Sequence, residues 1–275
     1  MNQVMNHAKI YIPLFCLIKR VKMKKVSDKR WEIAQESERE YWDEFDNSKL
    51  IEEEVNRHKE KAKILEEEWK KVINLNGNSK ILQIGCGPED VIDYFSKGKL
   101  YAIDPLADFY KKKFNLNYKN VTFVQARGEE IPLEDNFFDI VILANVLDHV
   151  EDPRKVLSEV KRVLKKEGIF HFENLFYQKS FIAVSKIWAP IKQVFTGNLF
   201  NIHHPYMFKL KELQKLISEN FSIVYEEVGR EIAFYENLEE LKKIKLKDAK
   251  LTTRLPARFG LYGTINYMVF CRKRK

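Results

Sequence analysis

Short apolar runs alternate with mixed polar segments through the middle of the chain. The runs predict five strands, near residues 80–84, 99–103, 121–124, 138–144 and 168–174. Segments with helical spacing separate them, as in the helix that carries Val156, Leu157 and Val160. Strands that alternate with helices indicate a parallel sheet, so the sequence predicts an α/β fold with a doubly wound sheet. Two further apolar runs, at 221–225 and 265–271, predict two late strands.

The charged residues before the first strand predict two helices. Asp28 is expected to cap a first helix that carries Trp31, Tyr41 and Trp42, and a second helix follows it to about Ile73. The three aromatic side chains either dock this helix on the core, which their spacing favours, or face a substrate. The sequence therefore predicts a helical cap over residues 29–78.

The first 28 residues predict an N-terminal extension rather than the start of a domain. An apolar run at 10–18 is far shorter than the roughly 20 residues that span a bilayer. Met23, followed by two lysines, suggests that translation begins there, and a native peptide from residues 2–18 in mass spectrometry would contradict this hypothesis. Residues 79–275 then form the core, with a substrate-side insertion at 176–210.

The first part of that insertion, from Phe176 to Phe195, is apolar and basic. Pro190 is expected to kink or end its helix. A lid over an apolar substrate, a helix on a membrane surface and plain packing all fit this pattern. Packing or a lid is favoured, because the neighbouring segments have the pattern of a soluble fold.

The net charge of +8 over 275 residues suggests nucleic acid or an anionic membrane as partners. The excess lies near the two ends, and no aromatic-and-basic repeat accompanies it, so nucleic acid is not favoured and peripheral membrane contact stays open. Cys16, Cys86 and Cys271 lie far apart, with neither a disulfide pattern nor metal-ligand spacing. These cysteines favour a reducing cytoplasm and predict no metal site.

A glycine turn follows the first predicted strand. Gly85 and Gly87 let the backbone turn tightly and lie directly against a flat ligand, and Asp104 ends the next strand, where such folds place a carboxylate under a ribose. A dinucleotide loop would carry a third glycine where Asp90 stands, beside Glu89, and these two carboxylates would repel a pyrophosphate. S-adenosylmethionine, a cationic ligand with a ribose and no phosphate, fits better.

With these features the sequence resembles the class I S-adenosylmethionine-dependent methyltransferases, in their small-molecule branch, over roughly residues 79–175. Four segments carry the resemblance, in family order: Ile81–Gly87, Ala102–Asp104, Gly128–Leu133 and Phe138–Val150. A fifth, Val163–Phe170, is similar to the helix, turn and strand that follow. The resemblance implies a Rossmann-like sheet, mostly parallel, with an antiparallel C-terminal strand.

The resemblance also implies cofactor contacts. The backbone of Gly85, Cys86 and Gly87 would line the methionine end, and Asp104 would accept hydrogen bonds from both ribose hydroxyls. The other residues that it places at the cofactor are Gln83, Arg127, Gly128, Glu129, Ala144, Asn145 and His149. Gly128 and Glu129 would read the adenine edge, whereas Ala144 and Asn145 would offer a carbonyl to the ammonium.

Two of these positions depart from the family pattern. Gln83 replaces the usual acid and can offer a carbonyl oxygen without charge, and Arg127 replaces an adenine-contacting Asp. Arg127 would stack on the purine or point outward.

A hydroxyl acceptor would need a base, and His203 or His204 is the first candidate because imidazole titrates near neutral pH. His149 is the second candidate base. Asp152, before Pro153, is expected to cap a helix rather than to act in catalysis. The sequence thus predicts methyl transfer to a small-molecule or saccharide hydroxyl. An RNA methyltransferase and a non-catalytic S-adenosylmethionine-binding protein are the alternatives.

Overall fold

Seven strands form one sheet in the computed structural model, which describes residues 24–45, 52–88, 90–114, 120–196, 202–229 and 264–274. They are β1 Lys80–Ile84, β2 Lys99–Asp104, β3 Val121–Gln125, β4 Phe138–Ala144, β5 Leu164–Tyr177, β6 Phe221–Val228 and β7 Thr264–Lys273. Their order is β3-β2-β1-β4-β5-β7-β6. The first five strands pair in parallel, and β7 is antiparallel to both of its neighbours. The predicted fold class is confirmed.

Helices cover both faces of the sheet. They are α1 Asp28–Glu44, α2 Glu52–Lys70, α3 Ala107–Lys113, α4 Pro153–Val163, α5 Lys179–Thr196 and α6 Leu210–Asn220. On one face, Leu65 and Trp69 of α2 pack against alternate residues of the central strands. On the other face, α4 and α6 bury their apolar stripes against the remaining residues of the same strands. Because side chains alternate along a strand, both faces of the sheet are buried.

Two local features depart from the predictions. The cap of α1 is Ser27, whose hydroxyl accepts a hydrogen bond from the Arg30 N–H at 3.3 Å, so Asp28 as the cap is wrong. Asp28 is already helical and places its charge in the first turn. The helix expected after the glycine turn is only a 3₁₀ helix, Val91–Tyr94, since the chain turns at Gly98 back into β2. The predicted extension up to residue 23, with Met23 and Cys16, lies outside the described residues, as does Glu89.

The strand predicted at 168–174 is longer than expected at both ends. β5 begins directly after α4, and its pairing with β4 shifts register between Phe138 and Ile140. The Lys165 ammonium binds both carboxylate oxygens of Asp139 at 2.8 Å at this irregularity. Asp152 caps α4 through the N–H groups of Arg154 and Lys155, and Pro153 is the first helical residue, so the predicted cap is confirmed.

The helix α5 contains Pro190 and continues past it to Thr196. Val184, Ile187 and Val194 are exposed on this helix, so packing, one half of the favoured interpretation, is wrong for these three side chains, whereas the lid stays a prediction. None of the helices in the described part of the chain is long and apolar enough to cross a bilayer.

Candidate functional site

A cavity of about 270 Å³ lies at the edge of the sheet where β1, β2 and β4 end. Ile84 pairs with Ile103 and with Leu143, so the loops that follow these three strands leave the sheet at the same level. These loops form the floor and walls of the cavity, and α1 closes one side with Trp31, Gln35, Glu38 and Trp42. Such an edge is where open α/β sheets bind ligands.

The glycine turn brings main chain to the cavity surface. Gly85 and Gly87 have φ angles of 66° and 60°, the left-handed region that favours glycine. A Cβ at Gly85 would also lie within 2.8 Å of Val146 Cγ1, whereas nothing would touch one at Gly87. Cys86, between them, also lines the cavity; burial first, and then the charges of Asp104 and Asp90, raise the pKa of its thiol well above the usual value. The thiol is therefore neutral at this site.

Asp104 lies at the end of β2 and joins the two neighbouring loops. Its Oδ2 accepts a hydrogen bond from the Gly87 N–H at 3.1 Å, and its Oδ1 accepts one from the Leu106 N–H at 2.8 Å. Burial raises the pKa of this carboxyl to about 6 against the lowering effect of the two backbone hydrogen bonds. The carboxylate thus fixes the glycine turn while it faces the cavity.

Gln83, a predicted cofactor contact, instead bonds to Asp90. Gln83 is fully buried in β1 and is not one of the residues that line the cavity; its side-chain N–H₂ donates to Asp90 Oδ2. Asp90 lines the cavity and also accepts a hydrogen bond from the Val91 N–H at 2.6 Å. Gln83 therefore orients the Asp90 carboxylate at the cavity surface.

Arg127 stacks on an aromatic ring of the protein. Its guanidinium carbon lies 3.9 Å from the centroid of the Trp31 ring, and its Nη2 donates to Glu151. Glu129, buried beside it, accepts hydrogen bonds from the N–H groups of Glu151 and Asp152 at 2.7 and 3.1 Å. These contacts connect α1, the turn after β3 and the loop after β4. Gly128 lies between them, and a Cβ there would be 3.2 Å from Ile84 Cγ2.

The loop after β4 provides the opposite wall. Asn145 has a φ of 53°, and its N–H donates to the Glu173 carbonyl at 2.8 Å. Asn145 and His149 line the cavity, whereas Ala144, the last residue of β4, is not one of the lining residues. Burial lowers the pKa of His149, which favours a neutral imidazole there.

The two candidate histidines at 203 and 204 have different partners. His204 Nδ1 lies 2.8 Å from Oδ2 of the buried Asp148, and its ring centroid is 4.3 Å from that of His149. Burial alone would lower the pKa of His204, but the hydrogen bond and charge of Asp148 outweigh it and raise that pKa. His203 instead places Nδ1 3.7 Å from Glu38 on α1. Only His204 is thus next to the cavity wall with a buried carboxylate behind it.

Several residues of the site are missing from the sequence-based predictions. Gln35 and Glu38 come from a helix before the core, and Asp148 lies behind the cavity wall as the partner of His204. Asp148, His149 and His204 also each offer one atom that could bind a metal ion, and these three atoms lie within 4.8 Å of one another. Sequence spacing does not reveal this cluster. Trp31 and Trp42, for which the sequence left docking and substrate contact open, both line the cavity, and Trp42 also packs against Tyr110 and Phe114.

Known proteins are similar to this chain in sequence and in fold. A family described as "Methyltransferase domain" matches residues 82–172. Thiol S-methyltransferase TMT1B of Mus musculus is 35% identical over 106 residues, which cover 35% of this chain and 43% of that protein. Ubiquinone/menaquinone biosynthesis C-methyltransferase UbiE of Rickettsia akari is 30% identical over 188 residues, covering 59% and 73%.

Among solved structures, the PH0226 protein from Pyrococcus horikoshii superimposes with a TM-score of 0.52 at 17% identity. The superposition covers 86% of this chain and 99% of that protein. At this identity the likeness extends to the fold alone. The sequence match spans less than half of the mouse relative and about three-quarters of the bacterial one.

Proposed function

Because the chain belongs to the class I S-adenosylmethionine-dependent methyltransferases, we propose that its cavity binds S-adenosylmethionine and that the protein methylates a small molecule. One observation carries the proposal: a backbone turn at Gly85 and Gly87 meets the buried carboxylate of Asp104 at the cavity surface. A ribose with two free hydroxyls can donate to such a carboxylate, and each hydrogen bond to a charged acceptor contributes about 1.5–3 kcal/mol.

The charges around the cavity favour a cationic ligand. Glu38, Asp90, Asp104 and Glu129 all line it, and Arg127, the one Lys or Arg among the described lining residues, is paired with Glu151. A sulfonium and an ammonium are attracted to these carboxylates, whereas a phosphate chain is repelled. The same charges oppose entry of an RNA strand, so the basic net charge of the chain does not favour a nucleic-acid substrate at this cavity.

The acceptor in this proposal is a small molecule whose reacting atom loses a proton. A hydroxyl is the first class to test. A thiol is the second, since the mouse relative is named as a thiol S-methyltransferase. His204 is the proposed base: with Nδ1 bonded to Asp148, Nε2 of the neutral ring carries the lone pair that takes a proton. Methyl transfer itself needs mainly alignment of nucleophile, methyl and sulfur, which can contribute roughly 7–11 kcal/mol.

Calorimetry with S-adenosylmethionine, S-adenosylhomocysteine and a nicotinamide dinucleotide tests the cofactor assignment. We expect the first two to bind, and the Asp104→Asn variant to bind them about 10- to 100-fold more weakly because a charged acceptor is lost. Asp108→Asn, at an exposed acid on the neighbouring helix α3, is the matched control and should leave the affinity unchanged. Binding of the dinucleotide alone would contradict the assignment. So would equal affinities of Asp104→Asn and Asp108→Asn for S-adenosylmethionine.

Turnover separates an enzyme from a binding module. Release of S-adenosylhomocysteine should be measured with panels of small hydroxyl and thiol compounds, with RNA as the comparison. Cofactor binding without turnover on any panel would favour the non-catalytic alternative.

A further inference from the structure

The helix α5 presents an apolar stripe to solvent. The side chains of Val184, Ile187 and Val194 are 44%, 69% and 82% exposed, which are large fractions for residues of this size. Their positions differ by three and seven residues, so they lie along one face of the helix. The face opposite carries Ser185, which is buried and whose hydroxyl bonds to the Phe181 carbonyl at 2.8 Å. Phe181 stacks on Tyr177 of β5, with ring centroids 5.6 Å apart. One side of the helix is therefore covered, while its other side is apolar and uncovered by the described residues.

The charges of α5 have a single sign. Its 18 residues include three lysines and no acid, whereas every other helix in the described part of the chain contains at least one Asp or Glu. Lys179 and Lys186 are exposed and seven residues apart, so they follow one edge of the apolar stripe. An apolar strip bordered by lysines is typical of a helix that lies in the plane of a membrane interface.

We propose that α5 docks this protein on an anionic lipid surface. Val184, Ile187 and Val194 enter the boundary between headgroups and acyl chains, and the two lysines bind anionic headgroups. A second copy of the chain is the weaker occupant, because a symmetric contact through α5 brings its lysines together without an acid on the helix to offset them. A protein partner would have to supply both an apolar groove and an acidic rim.

The position of α5 determines which edge of the sheet this contact would bring close to the bilayer. β5 runs parallel to β4 and extends beyond it, from Glu173 opposite Ala144 to Tyr177, and α5 begins two residues later. The helix therefore leaves the sheet on the side where the cavity opens. Lipid docking through α5 brings that edge of the sheet toward the bilayer, whatever reaction the cavity supports.

Sedimentation with phosphatidylcholine vesicles, with and without about a quarter phosphatidylserine, tests the proposal on the full chain. We expect binding to the anionic vesicles that weakens by about fivefold for each exposed lysine removed, in the variants Lys179→Ala and Lys186→Ala. The double variant Lys63→Ala/Lys70→Ala is the matched control, because these lysines have the same spacing on α2 and are paired with Glu60 and Glu67. It should bind as the wild type does.

The apolar half of the proposal is tested with Ile187→Asp and Val194→Asp. Each should reduce vesicle binding by at least about tenfold. Ile64→Asp is the control, since Ile64 is 50% exposed on α2, and it should have no effect. Unchanged melting temperatures and unchanged affinity for S-adenosylhomocysteine show that the variants are folded.

Three results would overturn the proposal. The first is no binding of the wild type to anionic vesicles at low salt. The second is binding that Ile187→Asp and Val194→Asp leave intact. The third is light scattering in which the wild type is a dimer and Ile187→Asp a monomer, which would assign the stripe to a second copy.

Discussion

At the scale of single residues, the hydrogen bond between His204 and Asp148 is the contact with the clearest chemical consequence. A carboxylate on Nδ1 fixes the tautomer of the ring and stabilises the imidazolium that forms when Nε2 takes a proton. Asp148 is buried, and the hydrogen bond and charge of His204 lower its pKa against the opposing effect of burial. Asp148 is therefore a positioning residue for the proposed base.

The pH dependence of methyl transfer tests this pair. Since Asp148 raises the pKa of His204, we expect kcat/KM to rise with pH through a midpoint above the ordinary histidine value of 6.5. Asp148→Asn should move that midpoint to lower pH and reduce kcat, with cofactor affinity little changed. Glu38 and His149 face the same ring and remain in the variant, so the shift reports the loss of the Asp148 charge.

His203→Ala is the internal control for that experiment, because its ring pairs with Glu38 rather than with Asp148. A wild-type rate in His204→Ala, or an unmoved midpoint in Asp148→Asn, would show that the pair is structural only.

The residues that could be predicted from sequence are those whose positions follow from one strand and the next loop. Asp104 is such a residue, since it ends β2 and its distance from the glycine turn is set by the sheet register. Asp148 and His204 are 56 residues apart and meet only because the turn before α6 folds back on the loop after β4. Tyr206 fixes that return: its N–H donates to the Asp148 carbonyl, and its hydroxyl donates to the Glu151 carbonyl at 2.8 Å.

At the scale of elements, a buried ion pair fastens α2 to the centre of the sheet. Glu173 on β5 is fully buried, and its Oε2 lies 3.2 Å from the Lys61 ammonium. Its other oxygen accepts a hydrogen bond from Asn266 on β7 at 3.2 Å. His171, on the same face, is uncharged at neutral pH, because burial first, and then the charge of Lys61, lower its pKa to about 3. The pair thus supplies the charge in a contact whose other polar side chains, Asn266 and His171, are neutral.

Removing one partner of this pair should be costly. We expect Lys61→Met to reduce the free energy of unfolding by about 3–5 kcal/mol, because it leaves the Glu173 carboxylate buried and unpaired. Lys63→Met removes an exposed partner of Glu60 and should cost no more than about 1 kcal/mol. Urea unfolding measures both. The double variant Lys61→Met/Glu173→Gln should recover part of the loss, and no difference between the two lysine variants would contradict this account.

Elements were predictable where their signals are local. The α4 cap follows from an Asp before a Pro, and both act within one turn. The shortness of the 3₁₀ helix was not predictable, because it depends on how soon the chain must return to β2. A Cβ at Gly98 would lie 2.7 Å from the Ser79 carbonyl, so the return is fixed by close approach to another part of the chain.

At the scale of the whole molecule, the protonation of Asp104 couples stability to pH and to ligand. The pKa of this carboxyl is about 6 in the folded protein and 3.8 when unperturbed, so the folded state holds its proton more tightly. Its buried charge therefore lowers the stability of the free protein above about pH 6, and this cost disappears as pH falls through 6 toward 3.8. In the proposed function, ligand binding has the opposite dependence, because the ionised carboxylate is a stronger acceptor for ribose hydroxyls than the protonated acid.

The rise in melting temperature caused by S-adenosylhomocysteine should therefore be largest above about pH 6 and shrink below it. Thermal unfolding at one ligand concentration, from about pH 5 to about pH 8, measures the effect. In Asp104→Asn the rise should be smaller and should lose most of this dependence, since the carboxyl whose pKa lies within this range is then gone. If the wild type and Asp104→Asn showed the same pH dependence, the dependence would belong to a group other than Asp104.

The order of strands has a consequence for synthesis. β7 lies between β5 and β6, although it is the last of the three to leave the ribosome. Among the described strands β6 pairs with β7 alone, so a nascent chain that has completed β6 leaves that strand unpaired and the β5 edge open until β7 inserts between them. Chaperone capture during translation should therefore concentrate on that interval.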